Sequence, residues 1–241
     1  MEDQVGTQHR HFQLELEELK DKLLAMSGLV ESAVSRSITA VVQKDRKLAE
    51  EVLQNESLVN QMEIEIDNQA INLLALHQPM AGDLRLITAA IKINTDLERM
   101  GDLAVNIARA ALDLIGEPAA RPLVDIPHMG RLVQSMVRTA LDSFVAKHAE
   151  LARRVLASDD EVDHMRTAFI YELVIFMQRE PGKIPQILSL LSVIRNLERI
   201  ADHATNIAED VLFYVKGIEV RHNAEALAKR VAGTGKTDPK P

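Results

Sequence analysis

Glu98, Asp102 and Asn106 follow one another at four-residue spacing, and Glu198, Asp202 and Asn206 repeat the pattern one hundred residues later. On an α-helix that spacing places each trio on one face, as a stripe of oxygen donors. The surrounding segments match as well. Leu97-Glu98-Arg99-Met100-Gly101-Asp102-Leu103-Ala104-Val105-Asn106-Ile107-Ala108 and its counterpart from Leu197 to Ala208 are identical at eight of twelve positions. A second echo, Val59-Asn60-Gln61-Met62 against Val162-Asp163-His164-Met165, is offset by 103 and belongs to the same duplication. If each trio's helix is joined to the preceding helix by a tight turn, near residue 81 and again near 182–183, antiparallel packing brings the two signals together. Asn60 and Glu56 then face Asp102 and Asn106, while Asp163 and Asp159 face Asp202 and Asn206. Hard oxygen ligands from two facing helices suit Mg²⁺, Mn²⁺ or iron, with water completing the shell.

Simpler readings compete with this one. Carboxylates four apart on a helix usually form a solvated face, and Arg99 could pair with Asp102 for only about 0.2–0.5 kcal/mol. Like charges at this spacing are mildly destabilising, yet both halves keep them while neighbouring positions have drifted. That retention favours a metal or anion site. Glu161-x-x-His164 has the spacing found in ferritin-like di-iron proteins, but Gln61 stands at the position equivalent to His164, so His164 reads as a surface polar residue. His203 is matched by Leu103 and is set aside as a shared ligand. Met26, Met62, Met100, Met136, Met165 and Met177 fall at apolar helix positions and read as core. No nucleophile–base arrangement stands out, so the chain is read as a non-enzyme. A Gly-Thr-Gly-Lys-Thr run near the end, at residues 233–237, lacks the upstream glycine, the strand and the helix of a phosphate-binding loop.

The elements that must carry the stripes are helices. Phe12, Leu16, Leu19, Leu23, Met26, Val30, Val34, Ile38 and Val41 recur at spacings of three and four, which describes one long amphipathic helix. A short piece around Leu48–Leu53 follows, and Asn55 or Ser57 is expected to cap a second long helix that ends at Pro79 and Gly82. A third helix runs from near Asp83 to Ile115. Residues Gly116–Pro127, with three prolines and one glycine, read as a linker. A fourth helix is expected over Met129–Leu156, a fifth after a cap at Ser158 or Asp159, and a sixth from Pro185 to or beyond Gly217. No segment alternates with period two. The expected fold is all-α: two tandem three-helix bundles at 8–116 and 128–222, a linker at 117–127, and a disordered polar tail at 223–241.

Composition narrows the function. The 241 residues carry no cysteine, which removes disulfides, thiolate metal sites and thiol nucleophiles. A net charge of −8 and the lack of any Lys/Arg run argue against nucleic acid. No apolar stretch reaches the length of a membrane span, and the N-terminus is unlike a signal peptide, so a cytoplasmic protein without direct membrane insertion is expected.

The duplicated Leu-Glu-Arg-Φ-Gly-Asp-x-x-x-Asn-Ile pattern resembles the PhoU family. Further matches are Gln78-Pro79-Met80-Ala81-Gly82-Asp83-Leu84-Arg85-Leu86, and Phe213-Tyr214-Val215-Lys216-Gly217 with Arg221-His222. The likeness runs collinearly over about residues 8 to 225. It implies two three-helix bundles, a homodimer, and metal ions held on Glu/Asp-x-x-x-Asp stripes: Glu98 with Asp102, Glu198 with Asp202, and Asp159 with Asp163. Glu56 and Asn60 take the place of the last pair in the first half. The implied cofactor is a divalent metal, Mn, Fe, Mg or Zn. The implied role is negative regulation of phosphate uptake and starvation signalling, between the cytoplasmic ATPase of a phosphate ABC importer and a sensor histidine kinase. A ferritin-like metalloenzyme and a purely structural helical scaffold are the alternatives.

Overall fold

The computed structural model describes residues 2–115 and 124–217, with side chains from residue 10 onward. It consists of α1 (Glu2–Gln43), α2 (Arg46–His77), α3 (Ala81–Ile115), α4 (Ile126–Val145), α5 (Ala149–Arg179) and α6 (Ile184–Lys216), with a 3-10 turn at Pro181–Lys183 before α6. Among the described residues there is no strand. Most of the expected linker and all of the expected polar tail lie outside them.

Several helix limits differ from the sequence expectation. Helix α2 is continuous from Arg46, and Asn55 and Ser57 sit exposed in its middle instead of capping it. The cap is Asp45, whose carboxylate accepts from the Lys47 and Leu48 N–H groups at 2.9 and 3.2 Å, satisfying donors that have no intrahelical partner. Val52, Val59, Ile66 and Leu73, seven apart, are all buried, and this unbroken apolar line carries the helix through its polar middle. Helix α4 stops at Val145, well short of Leu156, because the chain turns through Lys147 at φ 50°. Helix α5 therefore begins at Ala149, with a His148 ring nitrogen accepting from the Leu151 N–H at 3.3 Å, and Ser158 and Asp159 lie inside it. The line Val155, Val162, Phe169 in α5 reproduces that of α2 at the same offset of the repeat. Helix α4 already begins at Ile126, inside the expected linker, with Pro127 in its first turn, where a missing N–H costs nothing. Helix α6 ends at Gly217 in the left-handed region, φ 67°, the conformation glycine adopts without strain.

Each half is a three-helix bundle, and the halves share one core. Helix α3 packs on α1 and α2, α6 packs on α4 and α5, and α3 and α6 pack along each other as the inner pair, with α1 touching α4. Leu97, Met100, Ala104 and Ile107 of α3 and Leu197, Ile200, Ala204 and Ile207 of α6 are fully buried in a single apolar cluster. Each large side chain so buried is worth about 1.5–3 kcal/mol. The outer contact between α1 and α4 depends on Gly130: a Cβ there would lie 2.7 Å from Ile38 Cγ2. The consequence for function is orientation. With their apolar faces committed to the shared core, α3 and α6 turn the Glu-x-x-x-Asp faces outward toward α2 and α5.

Candidate functional site

In the first half the register is fixed where α2 and α3 come closest. A Cβ on Gly101 would sit 3.3 Å from Val59 Cγ1, so the helices approach at the level of Asn60 and Asp102. A cavity of about 110 Å³ opens beside this point, lined among others by Arg36, Asn55, Glu56, Asn60 and Val105. Glu98 and Asp102 are half-buried on α3, and the α3 lining of the cavity is Gly101 and Val105. The Glu98 carboxyl is raised above its ordinary range by burial, then by the negative charges of Asp102 and Glu63, with Arg99 opposing. The other end of the stripe is less open, since Arg109 lies 3.8 Å from Glu56 and donates to Asn106 Oδ1 at 3.4 Å.

The second half holds the denser cluster. Burial, followed by the charges of Asp202, Asp163, Asp160 and Glu198, pushes the Asp159 carboxyl up to about 6. Burial also raises Glu198 and Asp202; Asp202 adds to the rise at Glu198, and Asp163 to that at Asp202. Asp159, Asp163, Glu198 and Asp202 thus lie within electrostatic reach of one another.

Asn206 does not join them. Its Nδ2 donates to Asp96 Oδ1 of α3 at 3.2 Å, and His203 Nδ1 meets the same oxygen at 2.7 Å. It faces the seam between the halves. Asn106 is exposed at its end of the first stripe. His164 is exposed and engaged with the Asp160 carbonyl of its own helix, as its surface reading implies.

Two residues of the clusters were missed from sequence. Glu63 feels Asp67, Asp102 and Glu98, and its carboxyl is raised chiefly by burial. Arg166 sits at the equivalent place in the second half, its Nε 3.3 Å from Glu198 Oε1. The signal was available: the antiparallel register that sets residue 60 against 102 sets 63 against 99, next to Glu98.

Among the described residues, no three His, Asp or Glu side chains are drawn together tightly enough to hold an ion as they stand. The donor chemistry fits one nonetheless. Both clefts offer oxygen donors beside arginines, and burial, then crowding, raises the carboxyls of Glu63, Glu98, Asp159, Glu198 and Asp202, a cost that a divalent cation relieves.

Comparison with known proteins bears on the whole chain. The family model described as "PhoU domain" matches residues 23–111 and again 126–211. The phosphate-specific transport system accessory protein PhoU homolog of Pseudomonas putida is 42% identical over 231 residues, covering 95% of this chain and 90% of that protein. The phosphate-specific transport system accessory protein PhoU of Escherichia coli (strain K12) is 35% identical over 223 residues, 92% of each chain. The crystal structure of PhoU from Pseudomonas aeruginosa superposes with a TM-score of 0.84 at 42% identity, covering 86% of this chain and 100% of that one. That of the phosphate transport system regulatory protein PhoU from Streptococcus pneumoniae gives 0.78 at 32% identity, over 87% and 99%.

Proposed function

This chain belongs to the PhoU family, and on that premise we propose that it is a non-enzymatic regulatory accessory of phosphate uptake. What carries the reading is the near-full-length match to relatives described as phosphate-specific transport accessory proteins. In this reading the protein acts in the cytoplasm as a homodimer and damps the phosphate-starvation response when phosphate is plentiful. Its partners are the cytoplasmic ATPase of a phosphate importer and a sensor histidine kinase. Association with membrane complexes is then through protein contacts: no helix among the described residues is long and apolar enough to cross a membrane.

The carboxylate stripes hold divalent cations in this proposal. Glu98, Asp102, Glu56 and Asn60 serve the first half, and Glu198, Asp202, Asp159 and Asp163 the second. A bound cation supplies positive charge that offsets the mutual repulsion of these groups. The chain's own contribution is to present them from two packed helix pairs at fixed register. Gln61 stands where a second Glu-x-x-His motif would need its histidine, which supports the accessory reading over a ferritin-like metalloenzyme.

Deleting the gene in its host and following a phosphate-starvation reporter in phosphate-rich medium tests the function. Derepression that the wild-type gene reverses, with co-purification of the importer ATPase, is expected. A reporter that stays silent after deletion overturns the regulatory role.

A further inference from the structure

The repeat places opposite charges at one equivalent position. Glu63 follows Asn60 by three residues on α2, and Arg166 follows Asp163 by three on α5. In the second half the Arg166 guanidinium lies 3.3 Å from Glu198 and is placed to counter Asp202 as well. That cleft therefore carries its own positive charge on a side chain. The first half carries a carboxylate there instead, and Asp67 extends the acidic row one turn further along α2, with Asn94 one turn before Glu98 on α3.

Asn94 is 0% exposed. Its Nδ2 donates to the Glu63 carbonyl and to Asp67 Oδ1, both at 2.9 Å, so its amide lies in the α2–α3 cleft. Its Oδ1 is buried without a partner, which costs stability unless something occupies it. In the second half Ile170 and Ile194 stand where Asp67 and Asn94 stand, and the polar row ends there.

Resting on the reading that the stripes hold cations, we propose that the two clefts are inequivalent sites. The first, completed by Glu63 with the Asn94 amide behind it, takes a hard divalent cation beside Arg99 and Arg109, which lie 3.5 Å from Glu98 and 3.8 Å from Glu56. The second is held in a cation-independent state by Arg166, which must leave Glu198 before an ion is bound. Affinity at such sites follows the number of charged ligands, and each cleft offers four carboxylates, Glu56, Glu63, Glu98 and Asp102 or Asp159, Asp163, Glu198 and Asp202. The guanidinium that must be displaced from the second therefore makes the first fill first. Arg166 acts as a built-in competitor that sets the threshold of the second.

The test is a titration of the metal-free full-length protein with Mn²⁺, reading free Mn²⁺ by electron paramagnetic resonance. Wild type, Glu63→Gln and Arg166→Gln are compared, with Arg166→Met as a second variant that keeps the apolar stem. Circular dichroism checks that each is folded. Two affinity classes are expected in wild type. Glu63→Gln should weaken the tighter class by about 10–100-fold, the range for losing a supporting group around a metal. Either Arg166 variant should strengthen the weaker class by about tenfold or more and leave the tighter one alone. Two classes that no variant shifts, or one class of equal sites, overturns the inequivalence while leaving the cation reading intact. No binding by wild type overturns that reading, and this inference with it.

Discussion

Asp96 of α3 and His203 of α6 meet across the two halves, with Oδ1 and Nδ1 2.7 Å apart. Asn206 donates to the same oxygen, and four residues before Asp96, Lys92 reaches the buried Asp210 at 3.2 Å. These polar contacts run from the first part of α3 to the last part of α6, along a seam otherwise filled by apolar side chains such as Leu97, Met100, Ile200 and Ala204. They fix the rotation of α3 and α6, and with it the direction in which the carboxylate stripes point.

Removing the shared acceptor should therefore loosen the joint between the halves. Asp96→Ala leaves His203 and Asn206 without their common partner in a half-buried place. A loss of about 1–3 kcal/mol is expected, the range for leaving a buried polar group without its partner. Denaturant unfolding of the metal-free protein measures it. Unchanged stability would mean the contact contributes nothing to docking the halves.

Stability without metal should depend on pH through Asp159. Its carboxyl is pushed to about 6 from an ordinary 3.8, so between those values the folded state holds a proton that the unfolded state has released. Stability therefore falls as pH rises through this window and recovers as pH is lowered from 6 toward 4. Burial is the leading cause, with Asp202 and Asp163 next. In chelator-treated protein, Asp159→Asn should be more stable than wild type at pH 7, with the difference vanishing near pH 4. A difference that does not change with pH would contradict the assignment.

The two close glycine contacts should respond differently to alanine. At Gly130 the new Cβ would press on the β-branched Ile38 at 2.7 Å. Overpacking of about 1–3 kcal/mol should outweigh a helix-propensity gain of about 1 kcal/mol. At Gly101 the contact with Val59 is 3.3 Å, and Ala201 already fills the equivalent place, so the change should stay within about 1 kcal/mol. Thermal melts of both variants test the pair. A stable Gly130→Ala would show that α1 and α4 are less tightly apposed.

Much of this architecture was legible in the sequence because the duplication makes each half a check on the other. The helix count, the stripes and the register near residues 60 and 102 all follow from spacing alone. What escaped depends on tertiary context. Asn55 and Ser57 look like caps until the line Val52, Val59, Ile66 shows that the helix passes straight through them. Asn206 lies on the stripe by periodicity, yet it is drawn away by Asp96, a partner one hundred and ten residues distant whose position only the α3–α6 packing sets. Glu63 and Arg166 were missed for another reason: they are among the positions that drifted between the halves, and attention to identity passes over a change of charge.

The most direct measurement is elemental analysis of gently purified protein, wild type beside Glu98→Ala/Asp102→Ala/Glu198→Ala/Asp202→Ala. Wild type is expected to carry Mn, Fe, Mg or Zn that the folded variant lacks. If neither protein retains a divalent metal, even after incubation with excess ion, the stripes are not cation sites and the proposed role rests on family membership alone.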